Sequence, residues 1–139
     1  MGQWRVVAEI PVDTRAPRMA RRVVGALLDG WQLESLSDDA QLVVSELVSN
    51  AVEHAGGAES FELEIVCHTD VLRISLADGS SIRPVVQELD HDRPRGRGMR
   101  LVEMLTDAWG ADDHRGGKRV WVELRAPAVL DTAESRPGA

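Results

Sequence analysis

The chain has 139 residues, 43% of them hydrophobic and 28% charged, an ordinary globular composition with room for one domain and one core. Its net charge of -7, from 23 acidic against 16 basic residues, argues against nucleic acid as the main partner, because phosphate backbones are held by basic faces. A single cysteine, Cys67, excludes an internal disulfide and a cysteine-rich metal site. No apolar run approaches the roughly 18 residues of a membrane span, and the N-terminus lacks a signal-peptide pattern, so a cytoplasmic protein without membrane contact is expected.

Residues 4–10 (WRVVAEI) are apolar and β-branched and predict a strand that Pro11 ends. Pro17 suits the first turn of a helix. Met19, Val23, Ala26 and Leu27 then recur at helical spacing over residues 18–28, with Gly30 as the stop. Ser37 reads as the N-cap of a second, long helix, with Asp38 and Asp39 complementing its dipole; Gly56-Gly57 stops it. Residues 61–66 and 71–77 alternate as paired strands around a short link at 68–70.

Residues 78–98 contain Gly79, Pro84, Pro94, Gly96 and Gly98 and no convincing element, which marks either a functional loop or a misassigned element. A short helix over 99–108 follows, with Leu101, Val102 and Leu105 on one face. Residues 109–112 and 118–124 close the chain as strands around Gly116-Gly117, and the polar tail from 126 to 139 reads as disordered. Strands follow strands at both hairpins. The expected fold is therefore an α+β two-layer sandwich over residues 1–125, a mostly antiparallel sheet covered on one face by helices.

Several familiar sites fail on their spacing. Gly96-Arg97-Gly98 lacks the third glycine and the preceding strand of a dinucleotide fingerprint. Gly116-Gly117-Lys118-Arg119 lacks the leading glycine and final hydroxyl residue of a phosphate-binding P-loop, and the four histidines have no metal-ligand spacing. What remains is Glu46 and Asn50, four residues apart and so on one face of the second helix, beside Leu42 and Val43. Standing alone, such a pair marks a solvated face; a site needs a partner loop.

That loop carries a resemblance. Glu46 to His54 (ELVSNAVEH) resembles the N-box of the GHKL ATPases, the superfamily of histidine kinases and gyrase. Asp78-Gly79-Ser80 resembles the first glycine box, residues 95–102 (RGRGMRLV) the second, and residues 116–124 (GGKRVWVEL) the closing strand. The nearest subgroup is the small stand-alone anti-sigma factor serine/threonine kinases, and the likeness spans residues 4–124. It implies an ATP site using Mg²⁺. Asn50 would be the metal ligand, Glu46 the catalytic base or holder of a metal-bound water, and Asp78 with Gly79 the adenine reader. Gly96, Arg97, Gly98 and Met99 would line the phosphates, at a helix N-terminus that attracts anions. Lys118 either touches a phosphate or simply sits on a strand. The implied partners are a sigma factor, held by protein contact, and a small antagonist protein, phosphorylated on Ser or Thr; the family also suggests a homodimer.

The chain departs from the family at Ser81, where the first box usually has a second glycine, and at Glu53, where many histidine kinases carry Lys. It has no segment for a helical phosphoacceptor domain, so a histidine kinase mechanism is not expected. Two other readings stand beside the kinase. One is a non-catalytic module whose protein binding is modulated by nucleotide; the other is a small-ligand or nucleic-acid module on a similar fold.

Overall fold

The computed structural model describes residues 3–54, 59–78, 97–114 and 117–126, apart from the side chains at 78, 97–99, 113 and 114. In chain order the elements are β1 (Gln3–Pro11), α1 (Ala16–Gly30), a 3₁₀ turn (Glu34–Leu36), α2 (Ser37–Glu53), β2 (Ser60–His68), β3 (Val71–Asp78), α3 (Arg97–Leu105), β4 (Ala108–His114) and β5 (Gly117–Arg125). The strands form one sheet in the order β1-β2-β3-β5-β4. Every pairing in it is antiparallel. With the helices packed against it, this is the expected α+β sandwich.

Strand alternation decides which face is covered. In β2, Phe61, Leu63, Ile65 and Cys67 are buried while the residues between them are half-buried. Leu72, Ile74 and Leu76 of β3 and Val122 and Leu124 of β5 continue the same layer. Against it lie Ala16, Ala20, Val24 and Leu28 of α1, Val43, Val44, Leu47 and Val48 of α2, and Val102 of α3. The opposite face is polar and ion-paired: Arg5 bonds Glu64, Arg73 bonds Glu123 at 2.8 Å, and Arg119 meets Asp112 at 3.2 Å.

Four details correct the sequence reading. The buried column of α1 is Ala16-Ala20-Val24-Leu28; Met19 and Ala26 are exposed, and Val23 and Leu27 only flank the core. The apolar arc of this helix is wider than one column, and the small Ala16 and Ala20 let its backbone sit close to the sheet. Ser37 is not the cap of α2. The 3₁₀ turn runs straight into the helix, the Ser37 N–H donates to the Glu34 carbonyl, and the Ser37 hydroxyl instead accepts from Gln41 Nε2 at 2.9 Å.

Gly30 lies within α1 rather than beyond it, and the left-handed residue that ends the helix is Gln32 (φ 62°). The Leu33 N–H there reaches back to the Leu28 carbonyl at 2.8 Å, and the Gln32 N–H to Asp29 at 3.2 Å, which satisfies the last-turn carbonyls. Finally, α3 runs from Arg97 to Leu105, starting two residues and ending three residues earlier than its pattern suggests. Thr106 closes it with its hydroxyl on the Val102 carbonyl at 2.7 Å, and the Asp107 N–H then joins the sheet at the Glu123 carbonyl.

Candidate nucleotide site

The connections place the C-terminal half of α2 at one end of the sheet. Pro11 is in register with Ser60, Phe61 with Asp78, and Ala77 with Arg119, so one end of the sheet gathers the close of β1 and β3 with the start of β2 and β5. α1 leaves from that end and α2 returns to it antiparallel, as the contacts of Gly25 with Gln41 and of Arg21 with Ser45 show. The last turns of α2, which carry Asn50 and lead toward Ser60, therefore stand at the same end as Asp78.

Glu46 is half-buried and Asn50 exposed. Gln41 and Ser45 face α1, and at about 100° per residue Glu46 and Asn50 lie on another flank of the helix. Val43 of this neighbourhood is fully buried, whereas Leu42 is 41% exposed, so the pair marks the border between core and solvent. Among the described residues neither the Glu46 carboxylate nor the Asn50 amide has a partner. α2 ends in order: the His54 N–H bonds the Asn50 carbonyl at 3.2 Å, and His54 Nδ1 lies 3.1 Å from the same oxygen. A carbonyl only accepts, so Nδ1 carries the proton there. His54 thus holds the backbone of the residue whose side chain is a candidate ligand.

Asp78 is the last residue of β3, the central strand, and takes the alternate positions of Leu72, Ile74 and Leu76. Lys118 alternates with Val120, Val122 and Leu124 on the helix-facing side of β5, next to Arg119, which pairs with Ala77. Arg97, Gly98 and Met99 form the first turn of α3, which packs on α2. Gly98 is thus inside the helix rather than before it, where the first four N–H groups lack helical partners. Gly79, Ser81, Gly96 and the loop between them fall outside the described residues.

These groups suit a phosphate ligand better than a metal bound by protein alone. Among the described residues no group of three His, Cys, Asp or Glu side chains could hold a metal. One exposed Asn carbonyl fits Mg²⁺, which takes few protein ligands and completes its shell from phosphates and water.

Residues 10–124 match the histidine kinase-like ATPase domain family. The chain belongs to that family. No curated protein matches it. A histidine kinase-like ATPase domain binds ATP, and in this one Glu46 and Asn50 occur on α2, Asp78 at the end of β3 and Gly98 at the start of α3. No helix among the described residues is long and apolar enough to cross a membrane. Sequence reasoning passed over Arg21, which reaches across from α1 to the Ser45 hydroxyl at 2.8 Å beside Glu46. A lone Arg in an arginine-rich helix gives no pattern by which to single it out.

Proposed function

We propose that this ATPase domain is a cytoplasmic regulator of the anti-sigma type, which sequesters a sigma factor and phosphorylates a Ser or Thr of a small antagonist protein. The observation that carries the proposal is the placement of Glu46 and Asn50, unpaired among the described residues and one turn apart, on the solvent border of α2 in a domain of an ATP-using family. An acceptor hydroxyl from a second protein can reach that border.

In the proposed reaction the acceptor oxygen attacks the γ-phosphorus of ATP, the bond to the β–γ bridging oxygen breaks, and ADP leaves. Glu46 takes the hydroxyl proton. Asn50 would hold Mg²⁺, which neutralises charge on the β- and γ-phosphates when bound. Asp78 would accept from the adenine amino group, and the first turn of α3 would donate N–H groups to phosphate. Phosphorylation would release the antagonist and leave the regulator free to hold its sigma factor.

The test is a transfer assay from radiolabelled ATP to co-purified partners. Glu46→Gln should bind ATP almost as the wild type does yet transfer roughly 10²-fold more slowly, the scale of losing a general base. Asp78→Ala should abolish ATP binding in calorimetry, and Asn50→Ala should weaken it. Wild-type protein that transfers to no partner would make it a non-catalytic, nucleotide-modulated binding module.

A further inference from the structure

α1 and α2 meet through two specific contacts on successive turns, one steric and one a hydrogen bond. At the first, the Gln41 side-chain amide lies against Gly25 of α1, where an added Cβ would stand 2.9 Å from Nε2. Gln41 is itself tethered, donating to the Ser37 hydroxyl at 2.9 Å. Four residues back along α1 and four forward along α2, Arg21 donates from Nη1 to the Ser45 hydroxyl at 2.8 Å in a half-buried setting. Its neighbours Arg18 and Arg22 are exposed, so of these three arginines Arg21 alone is drawn into the seam. A cation in the early turns of a helix gains nothing from the dipole, which is positive there.

Ser45 immediately precedes Glu46, and the next turn of α2 carries Asn50. A helix packed only by apolar side chains can slide or roll slightly about its axis. A hydrogen bond at one turn and a tethered side-chain amide seated on a glycine at the turn before restrain both motions. We infer that Arg21 is a positioning residue: through Ser45 it sets the roll of α2, and with it the placement of Glu46 and Asn50 against the phosphate end of a bound nucleotide. The inference rests on the reading of Asn50 as the Mg²⁺ ligand.

The test compares nucleotide affinity with and without Mg²⁺, because only the Mg²⁺-dependent part passes through Asn50. In Arg21→Met, the ratio of MgATP affinity to Mg²⁺-free ATP affinity should fall roughly three- to tenfold. Arg21→Lys, which keeps a donor, should recover part of it. Ser45→Ala should lower the ratio similarly, and the double variant should lose no more than either single one, since both break the same bond. Ser45→Ala is the milder change and decides the matter if Arg21→Met does not fold. A contact that served stability alone would lower the urea midpoint and leave the ratio as in the wild type. That result, or losses that add in the double variant, overturns the inference. A wild type whose affinity ignores Mg²⁺, or is unmoved by Asn50→Ala, overturns the reading of Asn50, and the inference with it.

Discussion

Gly110→Ala tests how tightly the open face of the sheet is built. Gly110 of the edge strand β4 is in register with Trp121 of β5, and the indole lies directly over it. A Cβ at Gly110 would stand 2.7 Å from Trp121 Cζ2, 3.0 Å from Cε2 and 3.2 Å from Nε1. The intruded atoms belong to a rigid ring, so the ring as a whole must move. It is not free to do so cheaply, because the Arg73 guanidinium sits 4.3 Å from its centroid while bonded to Glu123 at 2.8 Å. Overpacking of this kind costs about 1–3 kcal/mol, and loosening the cation–π contact adds about 0.5–1 kcal/mol. Replacing glycine in a strand recovers about 0.5–1 kcal/mol of chain entropy. The last two terms cancel, so the net expectation is a loss of about 1–3 kcal/mol, or roughly 3–12 °C in Tm for a domain of this size. Thermal and urea melts measure it. Gly30→Ala is the internal control: nothing lies within 4 Å of its Cβ position, and helix propensity favours alanine. ATP affinity should be unchanged in both variants, since Trp121 is on the face away from the helices. A Gly110→Ala protein as stable as the wild type would refute the reasoning.

Gln32→Gly should raise stability by about 0.5–1 kcal/mol, because Gln32 holds φ 62° at the end of α1; a lower urea midpoint would contradict this. The carboxyl of Asp13 is held below its ordinary value of 3.8, first by the side-chain hydrogen bond from Arg15 and then by the Arg15 N–H. Its contribution is therefore present above the unfolded carboxylate range and disappears as pH falls through the lowered value. The stability gap between wild type and Asp13→Asn should accordingly be constant near neutrality and close below about pH 4, as followed by urea midpoints. Cys67 is buried, and burial first, then the nearby Asp70 charge, raises its thiol above the ordinary 9.0. Alkylation at pH 8 should be slow in the folded protein and fast in urea; equal rates would show that the end of β2 opens at Cys67.

Element order was legible because each element carries its own period: the alternation of β2 and β3, the apolar spacing of α2 and the glycines between strands all act locally. Features that depend on a neighbour were not. Which column of α1 is buried depends on the sheet beneath Ala16 and Ala20, and no residue within the helix states it. The cap expected at Ser37 was pre-empted by backbone bonds from a 3₁₀ turn whose Glu-Ser-Leu sequence has no helical signature. The insertion of β5 between β3 and β4 is a long-range pairing of the same kind. For the candidate site, the four-residue spacing of Glu46 and Asn50 and the glycine after Asp78 were visible in the sequence. The Arg21–Ser45 bond was not, since it joins residues 24 apart on two different helices.

The division of labour within α2 explains why an ATP site can be built on so small a domain. Val43, Val44 and Val48 are fully closed off from solvent and Leu47 nearly so, which anchors the helix to the sheet on one side. Glu46 and Asn50 are interleaved with or follow these residues in sequence but lie on another flank in space, so the residues that hold the helix and those proposed as base and Mg²⁺ ligand do not compete for positions. Phosphoryl transfer asks for groups placed to within about an ångström, and a helix pinned by its core supplies that better than a loop does. The proposed catalytic and metal-binding groups therefore fall on α2, while Asp78, the proposed adenine reader, is the last residue of β3. On this argument, changes in the α1–α2 seam should alter phosphate chemistry before they alter adenine recognition.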